Sequence, residues 1–202
     1  MKLTDKDAAR FYQVWRPLLT WVNDERSIVP NLSRGPEGEI AAEDGVKIRD
    51  VLWSDESLLA RFVAMNPGAL APDLLAIAAG FRHRRADTFF VWKHYLRHTI
   101  FLNDANAFAV LGLYSTFEEV LPIAPPLMVQ AVLLPFEGVI VHDGLITRHN
   151  IGLGPGIRRS LLERYRDATA RGAVVKSLVD YAPTTVSETP RRRAPRRLSL
   201  NR

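Results

Sequence analysis

The densest set of groups able to do chemistry lies between residues 142 and 159. Gly152, Gly154 and Gly156 fall within the run Gly152-Leu153-Gly154-Pro155-Gly156, and a helical stretch follows whose first turn carries Arg158 and Arg159. A helix N-terminus offers unpaired N–H groups and a partial positive charge, and guanidinium groups beside it add to both. The pattern suits a small phosphate or carboxylate. It lacks the Lys-Ser/Thr pair of a phosphate-binding P-loop, and Pro155 removes one donor. The competing reading is a tight strand-to-helix connection in which glycine supplies positive φ. His142 and Asp143 stand just upstream. An imidazole beside a carboxylate has the composition of a general base and its orienting acid. Neighbours on a strand point to opposite faces, however. The pair therefore also reads as a strand end running into an Asp-Gly turn, with the Asp bonded to local backbone.

Other candidates carry structural readings of their own. His94 and His98 have the four-residue spacing of a helical zinc pair. In a strand-like segment they stand roughly 13 Å apart, so no metal site is expected. Arg82, Arg84 and Arg85 form a basic run at a helix end, where cations complement the dipole. Phe89, Phe90, Trp92 and Tyr95 follow closely, with Lys93 and Arg97 among them. Aromatic groups beside basic ones can stack nucleobases, and they can equally be core. Glu118-Glu119 reads as a solvated turn, and Ser160 has no nucleophile-elbow pattern around it.

The elements that must position these groups follow from periodicity. Phe11, Trp15, Leu18, Leu19 and Val22 place an apolar stripe on a helix from Thr4 to Asn23, kinked or split at Pro17. Further helices are expected over 43–52, over 56–65 behind a Ser-Asp cap, and over 72–81 behind Pro72. From Asp87 the chain becomes rich in aromatic and β-branched residues. Residues 89–102 and 108–113 read as a hairpin, and 129–134 and 139–142 as two strands buried on both faces. A helical turn is expected over 116–121 and a last helix over 157–171, ended by Gly172, with a short strand after it. The fold class is α+β: an N-terminal helical layer (1–85), then a β-rich part with a covering C-terminal helix (86–181), together one domain. The sheet is expected to be antiparallel, of four to five strands or a small partly closed barrel. Residues 182–202 read as a disordered basic tail.

Charge divides the same way. The chain has 202 residues and a net charge of +5. Arg191, Arg192, Arg193, Arg196, Arg197 and Arg202 account for that excess, with Glu188 the only acid after Pro183. The rest is neutral, so a basic nucleic-acid face is not written into the folded part. There are no cysteines, which excludes disulfides and thiolate metal sites. No run is apolar enough to span a membrane, and the charged start Met1–Asp7 lacks a secretory core. A cytoplasmic location is the expectation.

The segments HTIFL, VLGLYSTFEEVL, VLLPFEGVIVHDGLI and GLGPGIRRSLLERYRDA occur in that order. This combination resembles a family of bacterial proteins without an assigned activity, marked by an LLPF-G-I-DGL hairpin and a glycine turn before an Arg-bearing helix. The resemblance implies that the hairpin and the glycine turn form one unit. It transfers no catalytic residue and no cofactor. The sequence thus points to a non-enzymatic binding module for a protein or nucleic-acid partner, with the tail arginines adding affinity for polyanions. The alternatives are an enzyme or sensor for a small phosphorylated ligand at Gly152–Arg159, and an antitoxin-like or structural partner protein.

Overall fold

The computed structural model describes residues 1–32 and 39–181; the tail arginines, Arg191 to Arg202, lie outside the described residues. Helix α1 (Asp5–Arg26) starts where the Thr4 side chain accepts from the Asp7 N–H, and its apolar stripe is buried as expected. Pro17 sits inside α1 without ending it. The carbonyl that Pro17 leaves unpaired belongs to Gln13, an exposed residue, where water can satisfy it. Helices α2 (Ala42–Ser54), α3 (Glu56–Met65) and α4 (Pro72–Gly80) follow, and a 3-10 turn, Phe81–His83, ends the layer. No helix among the described residues is long and apolar enough to cross a membrane.

The second half forms β1 (Arg85–His94), β2 (Thr99–Leu102), β3 (Ala107–Leu111), α5 (Phe117–Val120), β4 (Leu127–Phe136), β5 (Val139–His142), β6 (Thr147–Arg148), α6 (Pro155–Ala170) and β7 (Val174–Val175). The fold is α+β, with a partly closed barrel of five strands in the order β1-β2-β3-β5-β4 and β4 returning to β1. Two strand expectations are corrected. The apolar run 89–102 is two strands, because Tyr95 N–H donates to His98 O and closes a turn between β1 and β2. The sheet is mixed rather than antiparallel, since β3 pairs in parallel with both β5 and β7. The reason is topological: five strands cannot alternate in direction around a closed circuit, so at least one neighbouring pair must run parallel.

Alternation along the strands builds three packed regions. Phe89, Val91, Phe101, Phe108, Val110, Val129, Ala131, Leu133 and Ile140 point into the barrel. Val132, Leu134, Phe136 and Val141 point outward and pack with Phe11, Trp15, Ile48, Leu52, Phe62 and Phe81 of the helical layer. On the remaining outer face, Ile100, Leu102 and Ala107 lie beneath Leu161 and Ala168 of α6. From Ala131 to Phe136 strand β4 is therefore buried on both sides, as the apolar run there requires, while Gln130 before it is exposed. Helix α5 is held by a capping box between Thr116 and Glu119 and sends Phe117 into the barrel, 5.0 Å from the Phe101 ring.

Truncating that plug should leave a cavity the barrel cannot collapse. Phe117→Ala is expected to cost about 3–5 kcal/mol in urea unfolding. A loss below about 1 kcal/mol would show that Phe117 does not fill the barrel.

Candidate functional site

Helix α1 carries Tyr12 and Arg16 four residues apart, hence on one face. With Trp15 and Leu19 they form one wall of a cleft of about 420 Å³. Gly45, near the start of α2, and Tyr114, after β3, form further walls, and Asp143-Gly144-Leu145 after β5 closes the base. The Tyr12 and Tyr114 rings stack 5.5 Å apart at an interplanar angle of 5°. The Arg16 guanidinium lies 5.0 Å from the Tyr12 ring centre and 3.9 Å from Glu39. Burial pushes the Tyr12 phenol above its ordinary pKa, and Arg16 opposes the shift. Gly144 has φ +84°, and a β-carbon there would come within 3.2 Å of the Tyr12 hydroxyl. Glycine is thus required at 144 by backbone conformation and by the approach of Tyr12.

Beneath the cleft lies a buried ionic set. Arg49 of α2 is 2% exposed and Asp143 is 0% exposed. One Arg49 terminal nitrogen donates to Leu145 O at 2.6 Å and stands 3.5 Å from Asp143 Oδ2. Its Nε and other terminal nitrogen meet Asp50 Oδ1 at 2.9 and 2.8 Å. Asp143 Oδ1 accepts from the Leu145 N–H at 3.0 Å, the Asx turn expected of Asp-Gly. Burial drives the Asp143 carboxyl up to about 7, with Arg49 pulling the other way.

His142 faces the other side of the strand, its ring 5.1 Å from Phe117. Its Nδ1 accepts from the Gly144 N–H at 3.0 Å, so a neutral ring carries its proton on Nε2. Burial lowers the pKa of His142 to about 4. His142 at the end of β5 and Asp143 just after it thus point to opposite sides, as alternation demands.

The glycine turn occupies a third region. Gly152, Gly154, Gly156, Arg158 and Arg159 are exposed, and Leu153 packs with the cluster beneath α6. None of these three glycines has positive φ; Gly154 caps α6 at φ −68°. The connection therefore does not depend on left-handed glycine. Arg158 Nε donates to Leu153 O at 3.0 Å, turning the side chain back along its own segment.

The basic run disperses. Arg84 lies 4.6 Å over the Trp53 ring, Arg85 lies 4.8 Å over Tyr181, and Arg82 Nε meets His83 Nε2 at 3.0 Å. Phe89 is inside the barrel, while Phe90, Trp92 and Tyr95 pack with the α6 cluster. His94 bonds Thr99 across the β1–β2 turn, so the extended spacing assigned to His94 and His98 does not apply. Among the described residues no three His, Cys, Asp or Glu side chains are grouped to hold a metal.

Sequence reasoning passed over Tyr12, Arg16, Arg49 and Tyr114. One signal was present for Arg49: it shares the buried stripe of α2 with Gly45, Ile48 and Leu52, a core position filled by a charge. The chain matches no family model, no curated protein and no solved structure.

The two perturbed groups oppose each other in their pH dependence. Folded Asp143 keeps its proton to about pH 7 against 3.8 for a free side chain, so its contribution to stability falls as pH rises between those values. Folded His142 stays neutral down to about pH 4 against 6.5, so its contribution rises with pH across that window. Asp143→Asn removes the falling limb alone. The stability of that variant relative to the parent should increase by up to about 1.4 kcal/mol per pH unit between pH 4 and 6.5. Urea unfolding midpoints across this range measure the difference, and a difference that stays constant refutes the raised carboxyl.

Proposed function

We propose that the protein is a non-catalytic binding module for single-stranded nucleic acid, which takes a nucleobase at the Tyr12–Tyr114 cleft and phosphates along the tail arginines. The observation that carries this reading is the near-parallel Tyr12–Tyr114 stack beside Arg16, with Tyr114 42% exposed at the cleft. Aromatic faces bind unpaired bases with little regard to sequence, and arginines supply the salt-dependent share of affinity. A cleft of about 420 Å³ has the size of a small-ligand site.

The non-catalytic part rests on what holds His142 and Asp143. Both are buried, and each already accepts a backbone N–H. Their bonds fix the turn that forms the cleft base, which is a positioning role. Small five-stranded, partly open barrels often bind oligonucleotides or oligosaccharides on the face of their second and third strands. That is an analogy of fold, and here the outer side of β2 and β3 lies under α6. Recognition on the opposite, helical side of the barrel is consistent with that arrangement. A second reading keeps a small phosphorylated ligand at Gly152–Arg159, motivated by the exposure of Arg158 and Arg159 beside the start of α6.

Fluorescence anisotropy with a labelled oligothymidylate tests the proposal. Tyr114→Ala should weaken binding by about 1–3 kcal/mol at fixed salt. Serine at Arg191, Arg192, Arg193, Arg196 and Arg197 should flatten the salt dependence between about 50 and 200 mM while leaving the Tyr114 effect intact. Undiminished binding by Tyr114→Ala removes the cleft from the reading, and no binding by the parent ends it. A thermal shift with inorganic phosphate or nucleotides that disappears in Arg158→Ala and Arg159→Ala would favour the second reading.

A further inference from the structure

Helices α3 and α4 meet through small side chains and leave a groove between them. Leu59, Ala60 and Val63 of α3 and Ala79 of α4 line it, and its volume is about 380 Å³. Glu56, Arg82 and Arg84 complete the lining. Residues 56, 59, 60 and 63 share one face of a helix. That face is continuous with the layer core at Leu59, yet Ala60 is exposed and Val63 only half-buried. Alanines at 60 and 79 are too short to fill the space between the helices. The groove is thus apolar at Leu59, Ala60, Val63 and Ala79 and charged where Glu56, Arg82 and Arg84 complete it.

Its charge is uneven. The Arg84 side chain is 15% exposed, and its guanidinium stacks on Trp53 and donates to Trp53 O at 3.3 Å. Its acidic neighbour Glu56 stands 3.8 Å away with a side chain 90% exposed. Burial lowers the pKa of Arg84 more than Glu56 restores it. Glu56 is thus a loosely held counter-charge, at the long end of ion-pair distance and largely in water, which an incoming carboxylate can displace. Arg82 adds a second, exposed guanidinium to the same lining.

We propose that the α3–α4 groove binds an amphiphilic anion, an aliphatic chain ending in a carboxylate, with the chain along Leu59, Ala60, Val63 and Ala79 and the carboxylate on Arg84 and Arg82. Apolar walls select the chain, and guanidinium geometry selects a planar two-oxygen head. The site is separate from the Tyr12–Tyr114 cleft and does not depend on its ligand.

Titration of the full-length chain with octanoate and decanoate, followed by calorimetry and by tryptophan emission, tests the assignment. Each added methylene that enters the groove should tighten binding about fourfold, the ratio that 0.8 kcal/mol per buried methylene corresponds to. Octylammonium should not compete. Ala60→Leu fills the groove from an exposed position and should abolish binding without loss of fold. Arg82→Gln and Arg84→Gln should each weaken the carboxylate at least tenfold while leaving the weak affinity for octanol unchanged. Equal affinity for octylammonium, full binding by Ala60→Leu, or no binding of either carboxylate by the parent would each overturn the proposal.

Discussion

Arg49 is the residue on which the two halves of the molecule depend. Its side chain is buried and binds two separate parts of the chain: the exposed carboxylate of Asp50 on its own helix, and buried Asp143 with the Leu145 carbonyl after β5. A buried guanidinium is costly to desolvate, and only a nearly complete set of acceptors offsets that cost. The barrel side supplies two of them, Asp143 Oδ2 and the Leu145 carbonyl, and in one register only. Apolar contact between Val132, Leu134, Phe136 and the helical layer would tolerate small slides. A fixed guanidinium with directional partners would not. Sliding the helices on the barrel would therefore leave a buried guanidinium without two of its partners, which is strongly unfavourable.

The same constraint shapes the cleft. Asp143 is held by Leu145 N–H and Arg49, which sets the turn that carries Gly144. Gly144 lies against the Tyr12 hydroxyl, and Tyr12 stacks on Tyr114 from the loop after β3. A continuous chain of contacts therefore runs from the buried ion set to the exposed ring at the cleft. The carboxyl in that chain titrates near neutrality, so protonation weakens its attraction to Arg49 at pH values where no ordinary aspartate would respond. Physically, the shape of the cleft and the packing of α2 share one support.

Local signals and the partial closure of the sheet were legible in the sequence; the strand pairing that achieves closure was not. Thr4 and Asp55 mark the starts of α1 and α3 with side-chain caps that depend on a few neighbouring residues. The hairpin between the strands expected over 129–134 and 139–142 was placed correctly, but β4 runs on to Phe136 and leaves Glu137-Gly138 alone as the turn, both at positive φ. The Tyr95–His98 turn has no glycine, proline or asparagine to announce it, so two strands merge into one apolar run. The parallel pairing of β3 with β5 follows from an odd number of strands in a circuit, a property of the whole and of no segment. Arg49 and Asp143 are 94 residues apart, and periodicity relates only residues within a few turns.

The glycine run shows the converse, a conspicuous motif whose backbone is less constrained than that of a quieter glycine elsewhere. Gly152, Gly154 and Gly156 lie in an exposed connection between an edge strand and a peripheral helix. Their spacing suggested chemistry because glycine is informative when it permits a conformation or a close approach. Here no φ is positive and, among the described residues, no atom beyond the immediate chain neighbourhood lies within 4 Å of where a β-carbon would sit. At Gly144 both conditions hold at once, in a dipeptide that looked like an unremarkable turn. What distinguishes the two is packing against Tyr12, 132 positions earlier in the chain. A glycine's importance is set by what approaches it, and that is decided by the docking of the helical layer, hence by the buried arginine.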